Sequence, residues 1–140
     1  MLHRFRLATP VLFTMLVVSV ANAQGGKTVI GNSTATLSPA TRIGDLIFVS
    51  GQLGGRDSTI QGQTTNALNS IKTILEGAGS SMMNVAKCTV FLVDIKDFQG
   101  MNQSYAAAFP KEPPARSTVV VAALVVATGK VEIECIANAK

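Results

Sequence analysis

The chain has 140 residues, of which 47% are hydrophobic, so it is long enough for one domain with a modest core. Its 12 Lys and Arg against 8 Asp and Glu give a formal net charge of +4, too small to suggest nucleic-acid binding, which depends on clustered basic residues. The single histidine, His3, stands at the N-terminus, so the rest of the chain cannot form Ser-His-Asp or Cys-His catalytic groups or a histidine metal site.

The first 23 residues have the pattern of a secretory signal peptide. Arg4 and Arg6 form a positive n-region, "VLFTMLVVSV" is an apolar h-region, and "ANA" at 21–23 is a small-residue cleavage site. A membrane anchor is the alternative, but the apolar stretch is shorter than the roughly 20 residues of a membrane span. We therefore expect cleavage after Ala23 and a periplasmic or secreted protein without a membrane anchor. Loss of both arginines lowers the net charge from +4 to +2.

The first elements after the cleavage site are an arm and two strands. Residues 24–34 are small and polar and predict a flexible N-terminal arm, followed by one domain over 35–140. We expect a short strand within 34–43 and a longer one at "DLIFVSG", 45–51, whose residues are apolar, β-branched or aromatic. Glycine-rich "SGQLGG", 50–55, predicts a tight turn with free backbone N–H donors, since it lacks the lysine of a P-loop.

In "TTNALNSIKTILEGAG", 64–79, the apolar residues change to the spacing of a helix, so this segment is predicted to be helical. Thr64 or Thr65 can cap its start, and Gly77 can adopt the left-handed conformation that ends it. The apolar residues at helical spacing are Leu68, Ile71, Ile74 and Leu75.

A second strand and helix pair follows. "NVAKCTVFLVD", 84–94, predicts a strand, and "DFQGMNQSYAAAF", 97–109, has its large apolar residues near one helical face. We expect Asp97 to cap this helix and Pro110 to end it.

The last two predicted elements are both strands. In "KEPPARSTVVVAALVV", 111–126, Arg116 leads an apolar run whose unbroken Val119–Val121 predicts a strand buried on both faces. "KVEIECIANA", 130–139, predicts the final strand.

This order of elements predicts an α+β fold in which a mixed sheet carries helices on one face. Two helices cannot cover both faces of the sheet. Because the chain is so rich in apolar residues, we expect other copies of the chain to bury the open face.

Cys88 and Cys135 both fall in predicted strands. In an oxidising compartment they can form one disulfide, although buried free thiols are equally ordinary in strands. Their spacing in the sequence does not decide between these alternatives, because a disulfide depends on the distance between the two cysteines in the fold.

Arg116 is a candidate functional residue because a guanidinium is costly to bury without a partner. It stands where a loop meets a strand, and its planar fork suits a carboxylate. The alternative is a structural salt bridge at the strand end.

The final strand carries two carboxylates, Glu132 and Glu134, on the same face. A carboxylate in a largely buried strand suits general acid/base chemistry. The alternatives are an exposed strand face, or a simple ion pair between Arg116 and one of the two glutamates.

Four stretches of the sequence resemble the RidA/YjgF family of imine and enamine deaminases. They are "GDLIFVSGQ", "DFQGMNQSYAAAFP", "PPARSTVVVAAL" and "VEIECIA", and the match spans about residues 35–138. The resemblance implies a chorismate-mutase-like α+β fold and a homotrimer around a central barrel, with active sites in clefts between subunits.

The resemblance also implies an activity and the residues that carry it. Members hydrolyse small imines and enamines that bear a carboxylate, such as 2-aminoacrylate, to 2-keto acids and ammonia, without a metal or organic cofactor. Arg116 matches the arginine that clamps the substrate carboxylate, and Glu132 matches the glutamate that positions or activates the hydrolytic water. The further residues matched to the substrate pocket are Thr118, Ser50, Gly51 and Asn102.

The sequence departs from the family pattern at three points. Leu37 stands where members usually have a pocket tyrosine, the loop between Gln52 and Gln63 is shorter, and the spacing from Arg116 to Glu132 is one residue longer. A non-catalytic protein that binds small carboxylates is therefore the alternative to a deaminase.

Overall fold

The computed structural model describes residues 26–139, so the predicted signal peptide at 1–23 lies outside the described residues. Within this range two α-helices form, α1 (Ile60–Gly77) and α2 (Phe98–Ala108). Six strands accompany them, which are β1 (Thr28–Ile30), β2 (Ala40–Ile43), β3 (Leu46–Leu53), β4 (Val85–Leu92), β5 (Ala115–Val120) and β6 (Val131–Asn138).

The six strands form one mixed sheet in the order β1-β2-β3-β6-β4-β5. Every pair is antiparallel except β4 and β5, which run parallel. A parallel pair needs a crossover connection, and α2 lies within that connection. The predicted α+β class is confirmed, and so is the mixed sheet.

Both helices pack on one face of the sheet, and the hydrophobic core lies between the helices and the sheet. In β6 the alternation of side chains turns Val131, Ile133, Cys135 and Ala137 toward the helices, all of them buried. The same face of the sheet packs against Ile71 and Leu75 of α1, which are completely buried. No helix among the described residues is long and apolar enough to cross a membrane.

The N-terminal part of the fold differs from the sequence prediction in two ways. Within the predicted flexible arm, Thr28–Ile30 pairs with β2 as an edge strand. Strand β3 does not end at Gly51 but continues to Leu53 after a bulge between Val49 and Gln52. A bulge adds an unpaired residue without ending the ladder, so glycine within this strand marks an irregularity rather than a turn.

Helix α1 begins four residues earlier than predicted, and its cap is Thr59 rather than Thr64 or Thr65. The Thr59 side chain accepts a hydrogen bond from the Gly62 N–H at 3.0 Å. Gly79, with φ +77°, is the left-handed residue that ends the helix, where the sequence had suggested Gly77. Ser80 N–H donates to the Leu75 carbonyl at 2.8 Å, the closing bond of a Schellman motif.

Helix α2 has the predicted extent, but Asp97 makes no side-chain capping bond. A short 3₁₀ turn, Ile95–Asp97, precedes the helix, and the Asp94 carboxylate accepts from Lys96 N–H at 2.9 Å. Asp97 instead pairs with Lys130 at 3.5 Å, which ties the start of α2 to the loop before β6.

Strand β5 is not buried on both faces, as its apolar run had predicted. It lies at the edge of the sheet opposite to β1, and Val119 and Val120 remain 44% and 50% exposed. An edge strand has only one neighbour, and no element within residues 26–139 covers the face of the sheet that is turned away from the helices. The unbroken apolar run therefore belongs to a half-exposed edge strand rather than to a buried central strand.

Cys88 and Cys135 form a disulfide, which decides between the two alternatives that the sequence left open. They lie directly opposite each other on β4 and β6, with their Cα atoms 4.1 Å apart. Both side chains are buried on the helix-covered face. The disulfide therefore joins the two halves of the sheet in its centre.

Candidate active site

Arg116 lies on the helix-covered face of β5. It is paired in register with buried Cys88, and directly paired residues of neighbouring strands share a face. Its guanidinium lies over the ring of Tyr105, with the guanidinium carbon 4.6 Å from the ring centroid, and 5.9 Å from that of Phe98. A guanidinium nitrogen also lies 3.8 Å from the sulfur of Met101. Helix α2 thus surrounds the cation with soft, uncharged groups.

No carboxylate of residues 26–139 lies within 4 Å of the Arg116 guanidinium. The alternative of a structural salt bridge at the strand end is therefore not supported, and neither is a pair with Glu132 or Glu134. Contacts to aromatic faces stabilise an arginine by about 0.5–2 kcal/mol and leave its hydrogen-bonding fork free. The half-buried cation is available to an anionic ligand.

An open cavity of about 490 Å³ lies beside Arg116 and is called the Arg116 cavity here. Helix α2 and the segment before β5 form its walls, which combine one cation, one amide and mainly apolar groups. Its lining consists of Asn102, Tyr105, Ala106, Phe109, Pro113, Pro114 and Arg116.

Of the residues predicted to bind substrate, Asn102 and Thr118 belong to this side of the sheet. Asn102 lines the cavity. Thr118 pairs in register with buried Val90 and therefore points to the same face as Arg116. Burial raises the pKa of Tyr105 to about 12, and the Arg116 cation opposes this with a smaller lowering, so the phenol stays protonated at neutral pH.

Glu132 lies on the opposite, open face of the sheet. It pairs with Phe91 of β4 and with Leu53 of β3, and it is partly buried. Its carboxylate packs against Gly51 at the bulge of β3, where any side-chain carbon would overlap it. Glu134 shares this face, as predicted, but is exposed.

Ser50 and Gly51 therefore lie with Glu132 and not with Arg116. The Ser50 hydroxyl donates to the carbonyl of Ser38 at 2.7 Å, which fixes the bulge against the segment before β2. Leu37, in that same segment, is 57% exposed. The bulge with Glu132, Gly51 and Ser50 is called the Glu132 bulge here.

The structure thus divides the predicted site residues into two groups. Arg116, Thr118 and Asn102 belong to the helix-covered side of β5, and the Glu132 bulge opens on the other face of the sheet. One chain does not bring Arg116 and Glu132 together.

One buried polar residue that the sequence reasoning missed is Gln63, which is 1% exposed. Its side-chain amide donates to the carbonyls of Asp57 and Thr128, at 2.7 and 3.0 Å, and accepts from Lys130 N–H at 2.8 Å. These bonds fix the entrance to β6, two residues before Glu132. A polar residue that interrupts an apolar helical pattern was the available signal.

Within residues 26–139 no group of three or more His, Cys, Asp or Glu side chains lies close enough to hold a metal ion.

Comparison with known proteins shows the family. The profile of the family described as Endoribonuclease L-PSP matches residues 30–139. The chain belongs to this family. The solved structures that it resembles include one titled RidA and one titled a member of the YjgF/YER057c/UK114 family, so the resemblance seen in the sequence is confirmed at the level of the family.

Two curated relatives and two solved structures illustrate the similarity. Reactive Intermediate Deaminase A of Arabidopsis thaliana chloroplasts is 36% identical over 136 residues, which cover 90% of this chain and 72% of the relative. The mitochondrial protein mmf2 of Schizosaccharomyces pombe is 41% identical over 105 residues, 70% of this chain and 83% of mmf2.

Among solved structures, RidA from Psychrobacter sp. PAMC 21119 has a TM-score of 0.74 at 34% identity, covering 79% of this chain and 98% of RidA. Yeast Mmf1 has a TM-score of 0.78 at 31% identity, covering 82% and 100%. These similarities extend over nearly the whole described domain.

Proposed function

We propose that the protein hydrolyses small imines and enamines that bear a carboxylate, of the 2-aminoacrylate type, to 2-keto acids and ammonia. The observation that carries the proposal is Arg116, a permanent cation at the mouth of a cavity with no carboxylate partner among the described residues. An arginine fork in this state is suited to a bidentate carboxylate. A relative named Reactive Intermediate Deaminase A, 36% identical, supports the choice of reaction.

In the proposed reaction Arg116 holds the substrate carboxylate while the carboxylate of Glu132 accepts a proton from water. An enamine substrate first becomes the imine when a proton moves from its nitrogen to C3. The water oxygen forms a bond to C2 of the imine as the C2=N double bond becomes single, and the proton held by Glu132 passes to the nitrogen. The remaining hydroxyl proton then moves to the nitrogen as C2=O forms and the C2–N bond breaks, which releases ammonia and leaves the 2-keto acid. Asn102 and Thr118 would contact the substrate from the Arg116 side, and Ser50 and Gly51 from the Glu132 side.

We propose that the active unit is a homotrimer whose sheets face a central barrel. Two features of the chain support this. Large apolar side chains are exposed on the open face of the sheet, and Arg116 and Glu132 can meet only if different chains contribute them. The exposed apolar residues of this face include Ile43, Leu46, Phe48 and Val119.

We also propose that the chain is exported and acts in the periplasm or outside the cell. The disulfide between Cys88 and Cys135 supports an oxidising compartment, since cytosolic thiols are mostly kept reduced. The signal-like pattern of residues 1–23 supports the same location.

The proposed function is tested by the release of 2-keto acid from freshly generated 2-aminoacrylate. We expect the wild-type protein to accelerate this release over spontaneous hydrolysis, and Glu132→Gln to lose about 10²-fold of the acceleration, as expected for a general base. Glu134→Gln is the matched control, because it removes a carboxylate from the same strand face at an exposed position.

Equal rates for the wild type, Glu132→Gln and buffer would refute the deaminase. If 2-keto acids still bound in an Arg116-dependent way, the protein would be a non-catalytic binder of small carboxylates. A ribonuclease, which the family description names, is disfavoured here by the low net charge and by the lack of any histidine after residue 3.

Replacement by alanine should have different consequences at two glycines, Gly51 and Gly54. At Gly51 an added Cβ meets the end of the flexible Glu132 side chain, which can turn away, so Gly51→Ala should lower turnover as Glu132→Gln does and leave the melting temperature almost unchanged. At Gly54 the Cβ meets the backbone of Gln63 inside α1, which cannot move, so Gly54→Ala should destabilise the fold by about 1–3 kcal/mol. Thermal denaturation and the keto-acid assay separate the two effects. Normal turnover in Gly51→Ala would contradict the placement of Glu132 in the site.

A further inference from the structure

Two buried hydroxyl groups beside Arg116 have no hydrogen-bond partner among the described residues. They are Tyr105 Oη on α2 and Thr118 Oγ1 on β5. The Tyr105 side chain lines the Arg116 cavity and is only 5% exposed as a residue, and Thr118 stands two residues along the strand from Arg116 on the same face. Buried polar groups in native proteins are almost always paired, so two such groups beside an unpaired cation need an explanation.

We infer that the Tyr105 hydroxyl is a ligand-binding group, which donates a hydrogen bond to the carboxylate that Arg116 holds. The inference rests on the proposed function, because it takes the carboxylate ligand of Arg116 as its acceptor. A carboxylate offers about four lone-pair sites, and a bidentate arginine uses two of them. The remaining sites can accept from a hydroxyl next to the guanidinium.

The geometry of the two side chains supports this role. The guanidinium carbon lies 4.6 Å from the centroid of the Tyr105 ring, and both side chains line the Arg116 cavity, so a carboxylate held by the fork lies next to the Tyr105 side chain. The phenol oxygen stands on that ring's edge. Because burial raises the pKa of Tyr105 to about 12, the hydroxyl keeps its proton at neutral pH, where a carboxylate ligand is ionised.

Packing alone does not account for a tyrosine at this position. The ring contacts Phe109, with centroids 4.8 Å apart, and is buried in the core cluster. A phenylalanine would make the same ring contacts with Phe109 and Arg116 without burying an unpaired hydroxyl. The hydroxyl therefore weakens the free protein, and a ligand that accepts its hydrogen bond removes that cost.

Thr118, on the strand side of the guanidinium, has the same combination of a buried hydroxyl and no hydrogen-bond partner among the described residues. Its hydroxyl oxygen is buried and unpartnered, whereas the hydroxyl of Thr64, which is also completely buried, donates to the Ile60 carbonyl at 2.7 Å. The two threonines thus form a matched pair, one unpaired beside Arg116 and one paired inside α1.

The test compares ligand affinity and thermal stability in Tyr105→Phe, which keeps the ring over the guanidinium. We expect the Kd of pyruvate, measured by calorimetry, to rise about tenfold, the effect of losing one hydrogen bond to a charged group. The melting temperature of the free protein should stay the same or rise, because an unpaired buried hydroxyl is removed. Propionate, which lacks the keto oxygen, should lose affinity by the same factor, because the contact is to the carboxylate.

Two threonine variants are compared with Tyr105→Phe, and Thr64→Val is the control. Thr118→Val should behave as Tyr105→Phe does, while Thr64→Val should lower the melting temperature and leave the Kd of pyruvate unchanged. An unchanged Kd in Tyr105→Phe overturns the inference, and so does a lower melting temperature with unchanged binding, which would indicate a structural hydroxyl.

The outcomes also separate this inference from the proposed function. Loss of pyruvate binding in Arg116→Ala together with normal binding in Tyr105→Phe overturns only the role of Tyr105. Absence of pyruvate binding to the wild-type protein overturns both.

Discussion

Replacement of Arg116 by alanine should abolish the binding of small 2-keto acids. Loss of one partner of a desolvated charge pair costs about 2–5 kcal/mol, which corresponds to a rise in Kd of about 30- to 4,000-fold. For a ligand that binds in the high micromolar to millimolar range, such a loss moves the Kd beyond what calorimetry detects. The fold should survive, because Arg116 makes no salt bridge with residues 26–139 and its contacts are to two rings and a thioether.

The experiment is pyruvate titration of the assembled protein, with its mass checked by light scattering. Arg56→Ala is the matched control, because Arg56 is exposed in the loop between β3 and α1 and its loss should leave the Kd unchanged. Arg116→Lys keeps the charge but not the planar fork, so it should recover only part of the affinity. Wild-type affinity in Arg116→Ala would exclude a carboxylate clamp. Unfolding or dissociation of both Arg116 variants would assign the residue a structural role instead.

Of the changes considered for this protein, reduction of the disulfide between Cys88 and Cys135 should lower the free energy of unfolding most. The bond joins residues 47 positions apart, and closing a loop of that length in the unfolded chain corresponds to about 4 kcal/mol, within the 2–5 kcal/mol typical of native disulfides. The two cysteines are directly paired on neighbouring strands, so the fold itself holds them close to each other. We expect urea unfolding of the reduced protein at a clearly lower midpoint than that of the oxidised protein.

The variant with both Cys88→Ala and Cys135→Ala is the control for side effects of the reductant. Its unfolding midpoint should be low and should not respond to reduction, and all samples must be compared at one protein concentration because assembly contributes to stability. Equal midpoints for the oxidised and reduced wild type would contradict the prediction, as would two titratable thiols in the folded oxidised protein.

The type and order of most elements could be predicted from the sequence because their patterns are local. Residues 84–94 and 130–139 alternate or run as apolar strands, and the helix around Ile71 repeats at helical spacing. The start of α1 was missed because Gln63 and Thr64 are polar but buried, each paired to a carbonyl that no local pattern reveals.

The candidate site could be predicted only in part. Arg116 was recognisable because a permanent cation at the head of an apolar strand is costly without a partner. That Arg116 and Glu132 face opposite sides of the sheet depends on which strands are neighbours, and this is set by long-range pairing rather than by local pattern. Tyr105 was missed because an aromatic residue on the apolar face of a helix is usually only a core residue.

The position of β6 has a consequence for the way this chain acquires its structure. Strand β6, the last of the described strands in chain order, lies in the middle of the sheet, between β3 and β4. Until β6 has formed, strands β1–β3 are not hydrogen-bonded to the β4–β5 pair, and Cys88 has no disulfide partner. The central ladders of the sheet can therefore form only after residues 131–138 have been synthesised, whereas many domains begin to fold while the ribosome is still adding residues. Such late completion of the sheet would suit the export proposed above, because a chain must pass a narrow translocation pore before it folds.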